Sequence, residues 1–215
     1  MSYHTGSVAA VPTANKGKYL EHAREAWALF KSHGATRMVE TWSEDAPRGK
    51  ITDFHRAVDS QEGEAITFSW ITWPDRATAD TAWQKMSDDP AMHSMQMPFD
   101  GSRMIYGGFD GVVEEGEPVG GGHYQGFVLA VPERNKSAYV EMARKGWEIF
   151  SKGGALGMVE AWGEDVPHGK RTDFHRATQA QDDETIVFSW ISWRDRAACD
   201  AASKAMEEDP GDMAN

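Results

Sequence analysis

Five side chains able to do acid–base or ligand-binding chemistry occur twice in this sequence with the same spacing. They are Glu40, Trp42, Asp53, His55 and Arg56, and their second copies are Glu160, Trp162, Asp173, His175 and Arg176. A histidine oriented by a carboxylate can act as a general base, and an arginine beside a carboxylate forms an ion pair. The spacing therefore predicts a polar ligand-binding cluster in each half of the chain.

Two neighbouring strands, residues 35–42 and 52–58, are predicted to position this cluster. Alternate side chains of a strand share one face of the sheet. Glu40 is then expected to lie close to His55 or Arg56. A lone ionised carboxylate on a sheet face costs free energy unless another group compensates its charge. We therefore expect Glu40 and Glu160 to be at least partly buried and paired with arginine or histidine.

A structural role for the same residues is the main alternative. A Glu–Arg pair or a hydrogen bond between Asp and a turn would then fix the strand register, and the histidine would be satisfied by a backbone carbonyl group. A metal site is not expected, because it needs three or four converging ligands and the remaining histidines show no ligand spacing that persists between the copies. No nucleotide-binding or thiol-redox motif indicates a cofactor either. Trp42, Trp70 and Trp73 are candidates for lining a cavity, with core packing as the alternative.

The polar cluster belongs to a tandem repeat that organises the whole chain. About half of the aligned positions in residues 6–90 and 126–210 are identical, at an offset of about 120 residues without insertions. Each copy reads as strand, helix, two or three strands and helix, which is a ferredoxin-like order of elements. In the first copy the long helix is predicted from Lys16 to a C-cap at Gly34, and a capping-box pattern starts the second helix at Thr72. We predict an α+β protein with a first repeat at 1–113, a linker rich in Gly and Glu at 114–122 and a second repeat at 123–215.

The last strand of the first repeat, predicted at residues 103–113, has no counterpart in the second. In a ferredoxin-like sheet the last strand pairs beside the first, so residues 126–131 are predicted to form an exposed edge. Exposed edges recruit partners. The edge is expected to be covered by the first repeat's own last strand or by the same edge of a second molecule, and we prefer the homodimer.

Composition limits the classes of partner. The 215 residues carry a net charge of −12 with a pI near 5.1, and no basic stripe is present, which argues against nucleic acid. No apolar stretch is long enough to span a membrane, and the N-terminal residues do not resemble a signal peptide. A single cysteine, Cys199, excludes disulfides within the chain. These features predict a cytoplasmic protein without membrane contact.

Several motifs resemble those of the YbaA-like bacterial domain of unknown function. They are the segment at residues 126–132 (GFVLAVP), the repeated Glu-x-Trp, Thr-Asp-Phe and Phe-Ser-Trp-Ile motifs, and the segment at residues 97–109 (MPFDGSRMIYGGF). The resemblance implies the dimeric α+β barrel superfamily, which includes cofactor-independent monooxygenases and small isomerases. It brings no established catalytic residue. Two such repeats in one chain are expected to form the barrel by themselves.

Two functions follow as hypotheses. The first is a small-molecule-binding barrel, with or without enzymatic activity of the monooxygenase or isomerase type, whose pocket lies between the sheets and is bordered by Glu40, Trp42 and His55. The second is a structural or protein-interaction module in which side chains fill the barrel. A cavity of roughly 300 Å³ or more between the sheets would favour binding, and a solid core would favour the module.

Overall fold

The computed structural model describes residues 1–117 and 122–208, in which the two halves repeat the same order of elements. The strands are β1 (Tyr3–Pro12), β2 (Arg37–Glu40), β3 (Glu64–Trp73), β4 (Ile105–Gly116), β5 (His123–Pro132), β6 (Ala155–Asp165) and β7 (Glu184–Trp193). The helices are α1 (Lys16–Ser32), α2 (Phe54–Ala57), α3 (Arg76–Ser87), α4 (Pro90–Ser94), α5 (Lys136–Lys152), α6 (Phe174–Thr178) and α7 (Arg196–Glu208).

The long helix of each half forms where the apolar side chains have helical spacing. Tyr19, Ala26 and Phe30 of α1 are buried at positions that share one face of the helix. Gly34 and Gly154 follow the two long helices with φ angles of 102° and 96°. Glycine adopts this left-handed conformation without steric cost, so both positions end their helix as the sequence predicts.

All seven strands belong to one antiparallel sheet with the order β2-β3-β1-β4-β6-β7-β5. The order β2-β3-β1 of the first half returns as β6-β7-β5 in the second. Strand β4 joins the halves, because its first part pairs with β1 and its longer second part pairs with β6. The register of β4 against β6 shifts at Gly108, where the sequence predicts a bulge. The protein therefore has an α+β fold.

The sheet curls so that its two halves face each other across an aromatic core. Phe68 stacks on Phe188 and Trp70 stacks on Trp190, each with ring centroids 4.2 Å apart, although three strands separate β3 from β7 in the sheet. Phe109 of β4 lies 5.2 Å from Phe188 in the same core. Aromatic side chains thus occupy the centre of the space between the two halves, where the sequence predicts the pocket.

Matching glycines let the halves approach each other reciprocally. A Cβ atom on Gly6 would lie 2.9 Å from the ring of Phe188, and one on Gly126 would lie 2.8 Å from the ring of Phe68. Each half therefore seats the phenylalanine of the other against its own first strand. Reciprocal contacts of this kind are characteristic of a twofold arrangement, here formed within one chain.

Three local predictions are wrong. Residues 52–58 do not form a strand, because the Asp53 side chain accepts a hydrogen bond from the Arg56 N–H and starts helix α2. Helix α3 begins after Asp75, which caps it, rather than at Thr72. Residues 114–116 are not linker, since β4 extends to Gly116 by pairing with β6.

The edges of the sheet are β2 and β5. Strand β5 pairs with β7 alone within the described ranges, so residues 126–131 form the edge that the sequence predicts. The first half's last strand does cross to the second half, but it pairs with β6 rather than covering β5.

Candidate functional site

Glu40 is the centre of a hydroxyl–carboxyl cluster beneath helix α1. Tyr19 on α1 and Ser69 on β3 both donate hydrogen bonds to Oε2 of Glu40. Glu40 pairs across the sheet with Ser69, which places the two side chains on the same face. The predicted burial of Glu40 is correct, but its partners are hydroxyl groups and not arginine or histidine.

The second half repeats this cluster. Tyr139 on α5 donates to Oε2 of Glu160 at 2.6 Å, and Ser189 on β7 donates to the same oxygen. Glu160 pairs with Ser189 across the sheet, in the same register as in the first half. The repeat therefore preserves a buried Tyr–Glu–Ser arrangement with a residue-for-residue correspondence.

Burial sets the protonation of both clusters. Desolvation raises the pKa of the Glu40 and Glu160 carboxyl groups, and the hydrogen bonds from serine and tyrosine offset only part of this effect. Burial and the neighbouring glutamate also raise the pKa of the Tyr19 and Tyr139 phenols. Each site thus holds a carboxyl group that keeps its proton to a higher pH than an exposed glutamate does.

These raised pKa values predict a specific pH dependence of stability. Since the folded pKa lies above the ordinary 4.5, the stabilising contribution of the two carboxyl groups is fully present below pH 4.5 and is lost as the pH rises through the folded pKa. Changing Glu40→Gln together with Glu160→Gln should abolish this loss. Urea unfolding of both proteins across pH 4.5 to 8 tests it, and parallel stability curves would show that neither carboxyl group titrates abnormally.

The other predicted polar residues lie elsewhere, in the loop around helix α2. Arg56 Nη1 contacts Asp53 Oδ2 at 2.5 Å and the Gly49 carbonyl oxygen at 2.7 Å. His55 Nδ1 lies 2.8 Å from Ser60 Oγ, and Nε2 lies 3.0 Å from the Ala46 carbonyl oxygen. Both histidine nitrogens are engaged in holding the loop, so the predicted proximity of His55 and Arg56 to Glu40 is wrong.

The second copy holds its loop in the same way. Asp173 caps α6 through the Arg176 N–H, and Arg176 Nη1 contacts Asp173 Oδ2 at 2.6 Å. His175 Nε2 lies 3.1 Å from the Val166 carbonyl oxygen. The structural alternative therefore accounts for the contacts of the Asp–His–Arg set in both halves.

The tryptophans divide between the glutamate clusters and the core. Trp42 and Trp162 contact the ring of the site tyrosine, with centroids 5.9 Å and 6.1 Å apart, and Lys16 and Lys136 lie over their outer faces. Trp70 stacks in the core between the halves, and Trp73 is buried below the helices of the first half. Trp70 and Trp73 thus both pack in a core, and Trp70 also lines a cavity beside Glu40.

A cavity of about 660 Å³ lies beside Glu40, on the helix side of the first half. Its floor includes Ser7 and Ala9 of β1 together with Thr67 and Ser69 of β3. Five large apolar side chains from the segment between α3 and β4 form its rim: Met92, Met95, Met97, Phe99 and Met104. These methionines are not among the residues predicted from the sequence. Their high density between residues 92 and 104 is nevertheless typical of an adaptable apolar surface.

The requirements of a metal site and of a membrane-spanning helix are not met within the described ranges. No three His, Cys, Asp or Glu side chains there converge as metal ligands. Within the same ranges, no helix combines the length and apolar character needed to cross a bilayer.

The curled antiparallel sheet, flanked by helices and built from two repeated halves, defines an α+β barrel protein. The family model described as "Protein of unknown function (DUF1428)" matches residues 2–101 and 122–215, and the chain belongs to this family. The uncharacterized protein YbaA of Escherichia coli K12 is 50% identical over 117 residues, which span 54% of this chain and all of that protein. YbaA of Shigella flexneri matches to the same extent. The resemblance predicted from the motifs is confirmed.

Solved structures show the same fold at low sequence identity. A "putative monooxygenase" of Fusobacterium nucleatum aligns with a TM-score of 0.54 and 10% identity over 97% of this chain and 86% of its own. One of Lactobacillus acidophilus gives 0.52 and 10% over 98% and 88%. An anthrone oxidase-like protein gives 0.51 and 12% over 93% and 76%. These similarities support the α+β barrel fold.

Proposed function

We propose that this protein binds a small, largely apolar aromatic molecule in the cavity beside Glu40. The observation that carries the proposal is the cavity itself. Its volume of about 660 Å³ lies within the range of small-molecule sites, and it combines an apolar rim with one buried carboxyl group. Apolar walls with few polar groups hold an aromatic ring by burial and orient it by hydrogen bonding.

Glu40 is the group that orients the ligand in this proposal. Tyr19 and Ser69 both donate to Oε2, so Oε1 is the oxygen that meets the ligand. Because its pKa is raised by burial, the carboxyl group can donate a proton to a ligand oxygen or accept one from an acidic carbon or phenol. Proton transfer of this kind is compatible with cofactor-independent oxygenase or isomerase chemistry on an activated aromatic substrate.

The first half is the better binding site of the two. Small residues, Ser7 and Ala9, face its cavity, whereas the matching positions of β5 carry Phe127 and Leu129. The methionine-rich rim that follows α3 also borders this cavity. The Tyr–Glu–Ser cluster is common to both halves, so the small floor residues distinguish them.

A matched pair of variants tests the proposal. The probes are anthrone and 2-naphthol, which combine fused rings with one oxygen, and binding is measured by intrinsic tryptophan fluorescence and native mass spectrometry. Glu40→Gln should weaken binding by about tenfold, because a buried polar group of the ligand that loses its hydrogen-bond partner costs about 1–3 kcal/mol. Glu160→Gln, which changes the same cluster in the other half, should leave the affinity within about twofold.

Two results would contradict the proposal. Equal loss of affinity in both variants would assign the effect to general destabilisation, and unfolding midpoints recorded in parallel identify this case. Absence of saturable binding of either probe to the unmodified protein would remove aromatic ligands of this size as the occupants of the cavity.

A non-enzymatic protein-interaction module is the second candidate, and one observation favours it. The stacked pairs Phe68–Phe188 and Trp70–Trp190 occupy the centre of the space between the two halves of the sheet. A centre filled in this way leaves the outer surface of the barrel to contact a partner.

A further inference from the structure

The two edge strands, β2 and β5, border a groove of about 970 Å³ that we call the open-strand groove. Its walls are residues 37–46 on one side and residues 122–127 on the other, with Cys199, Asp200 and Ser203 of α7 at one end. Strand β4 lies between β1 and β6 in the sheet. The counterpart of β1 in the other half is β5, and the counterpart of β6 is β2. The groove between β5 and β2 is therefore equivalent, by the repeat, to the position that β4 occupies.

Burial around the two positions shows what β4 contributes. Met158, Val159, Trp162 and Phe174, which border β4, are 1%, 6%, 4% and 0% exposed. Their counterparts in the first half, Met38, Val39, Trp42 and Phe54, are all only partly buried. On the other wall, Val8 beside β4 is 0% exposed, and its counterpart Val128 is again only partly buried. The groove thus has apolar walls that match the covered ones, and no strand within residues 1–117 and 122–208 covers them.

The second half also retains the groups that, in the first half, bind the segment leading into β4. In the first half, Arg103 binds both carboxylate oxygens of Glu64 at 2.7 Å and the Asp59 carbonyl oxygen at 2.9 Å. Glu184 is the counterpart of Glu64 and accepts the same backbone hydrogen bond, from Gln181, that Glu64 accepts from Gln61. No Lys or Arg lies within ion-pair distance of Glu184 in residues 1–117 and 122–208.

The backbone that receives the arginine is repeated as well. Asp59 and Gln179 occupy matching positions with φ angles of 46° and 56°, which non-glycine residues rarely adopt. Asn15 donates to the Pro98 carbonyl oxygen at 2.8 Å, and its counterpart Asn135 is retained. Three apolar side chains, Phe127, Leu129 and Met142, are 39%, 37% and 58% exposed. They occupy the positions of Ser7, Ala9 and His22, which line the cavity beside this segment in the first half.

We propose that the open-strand groove binds an extended peptide segment of another polypeptide, with the chemistry of residues 97–116 of this chain. The segment adds as a strand antiparallel to β5, pairs on its other side with β2, and places an arginine on Glu184. Backbone hydrogen bonds to the two edges supply affinity, and the arginine and the aromatic residue at the Phe109 position supply specificity. This inference goes beyond the proposed ligand site.

A labelled synthetic peptide with the sequence of residues 97–116 tests the proposal on the full chain. Fluorescence anisotropy should show saturable 1:1 binding, and hydrogen exchange should slow in residues 37–43 and 122–131. Replacing the peptide arginine by glutamine, or changing Glu184→Gln in the protein, should each weaken binding by about tenfold or more, with little further loss when both are combined. Arg134→Ala, which removes an exposed ion pair in the same half, serves as the matched control.

Several outcomes would overturn the proposal. Absence of saturable binding, or binding that is indifferent to both the arginine and Glu184, would show that the groove does not recognise this segment. Protection of residues 3–8 instead of 122–131 would mean that the peptide only exchanges with the resident β4. Light scattering that shows a dimer, with residues 122–131 protected in the absence of peptide, would assign the edge to a second copy of this chain.

Discussion

Changing Arg103→Ala should cost about 3–5 kcal/mol of unfolding free energy, the range expected when one partner of a buried ion pair is removed. The Arg103 and Glu64 side chains are only 6% and 8% exposed and form a bidentate ion pair. Without the guanidinium group, the Glu64 carboxylate stays buried without its charged partner and keeps only the hydrogen bond from the Gln61 N–H. Urea unfolding at pH 7 measures the loss.

Two further variants separate this effect from a general sensitivity to lost charges. Arg134→Ala removes a pair whose side chains are 72% and 63% exposed, and should cost at most about 1 kcal/mol. Combining Arg103→Met with Glu64→Leu should recover most of the stability, since apolar side chains can replace a buried pair. A loss below about 1 kcal/mol for Arg103→Ala would show that water compensates Glu64.

Changing Phe188→Ala should destabilise the whole chain by about 3–5 kcal/mol, as expected for a large cavity in a core. Phe188 is 0% exposed and contacts the rings of Phe68 and Phe109, both from the first half. Because one ring supports both halves, calorimetry should show a single unfolding transition at a lower temperature.

Phe127→Ala is the control, since the same residue type on β5 is 39% exposed and should change stability by about 0.5 kcal/mol or less. A thermogram of Phe188→Ala with two separate transitions, of which one is unchanged, would mean that the halves fold independently. The reciprocal packing at Gly6 and Gly126 would then contribute nothing to the free energy of unfolding.

Much of the fold follows from the sequence because the repeat and the apolar spacing are local signals. The helix at Lys16–Ser32, its end before Gly34 and the edge at residues 126–131 are all read from residue types and spacing. The segment at residues 52–58 was misread because its β-branched and aromatic content resembles a strand. Its hydrogen bonds depend on Asp53 capping a single helical turn, which hydrophobic periodicity does not report.

The candidate site was only partly readable for a related reason. Glu40 at the end of β2 and Trp42 just after it both lie near Tyr19. Tyr19, however, is 21 residues before Glu40 on a helix, and its apolar spacing indicates a core residue. Which residues meet across the sheet depends on the register of β2 against β3, and residue spacing alone does not fix this register. The methionine rim comes from an irregular segment that carries no periodic pattern.

A crystal of the full chain soaked with 6-bromo-2-naphthol would show directly whether ligands bind on the helix side of the first half. The anomalous signal of bromine locates the ring independently of the refined coordinates. We expect a peak inside the cavity beside Glu40, with the naphthol oxygen at hydrogen-bonding distance from Oε1. A peak between the stacked Phe68 and Phe188 rings, or only in the open-strand groove, would contradict this expectation.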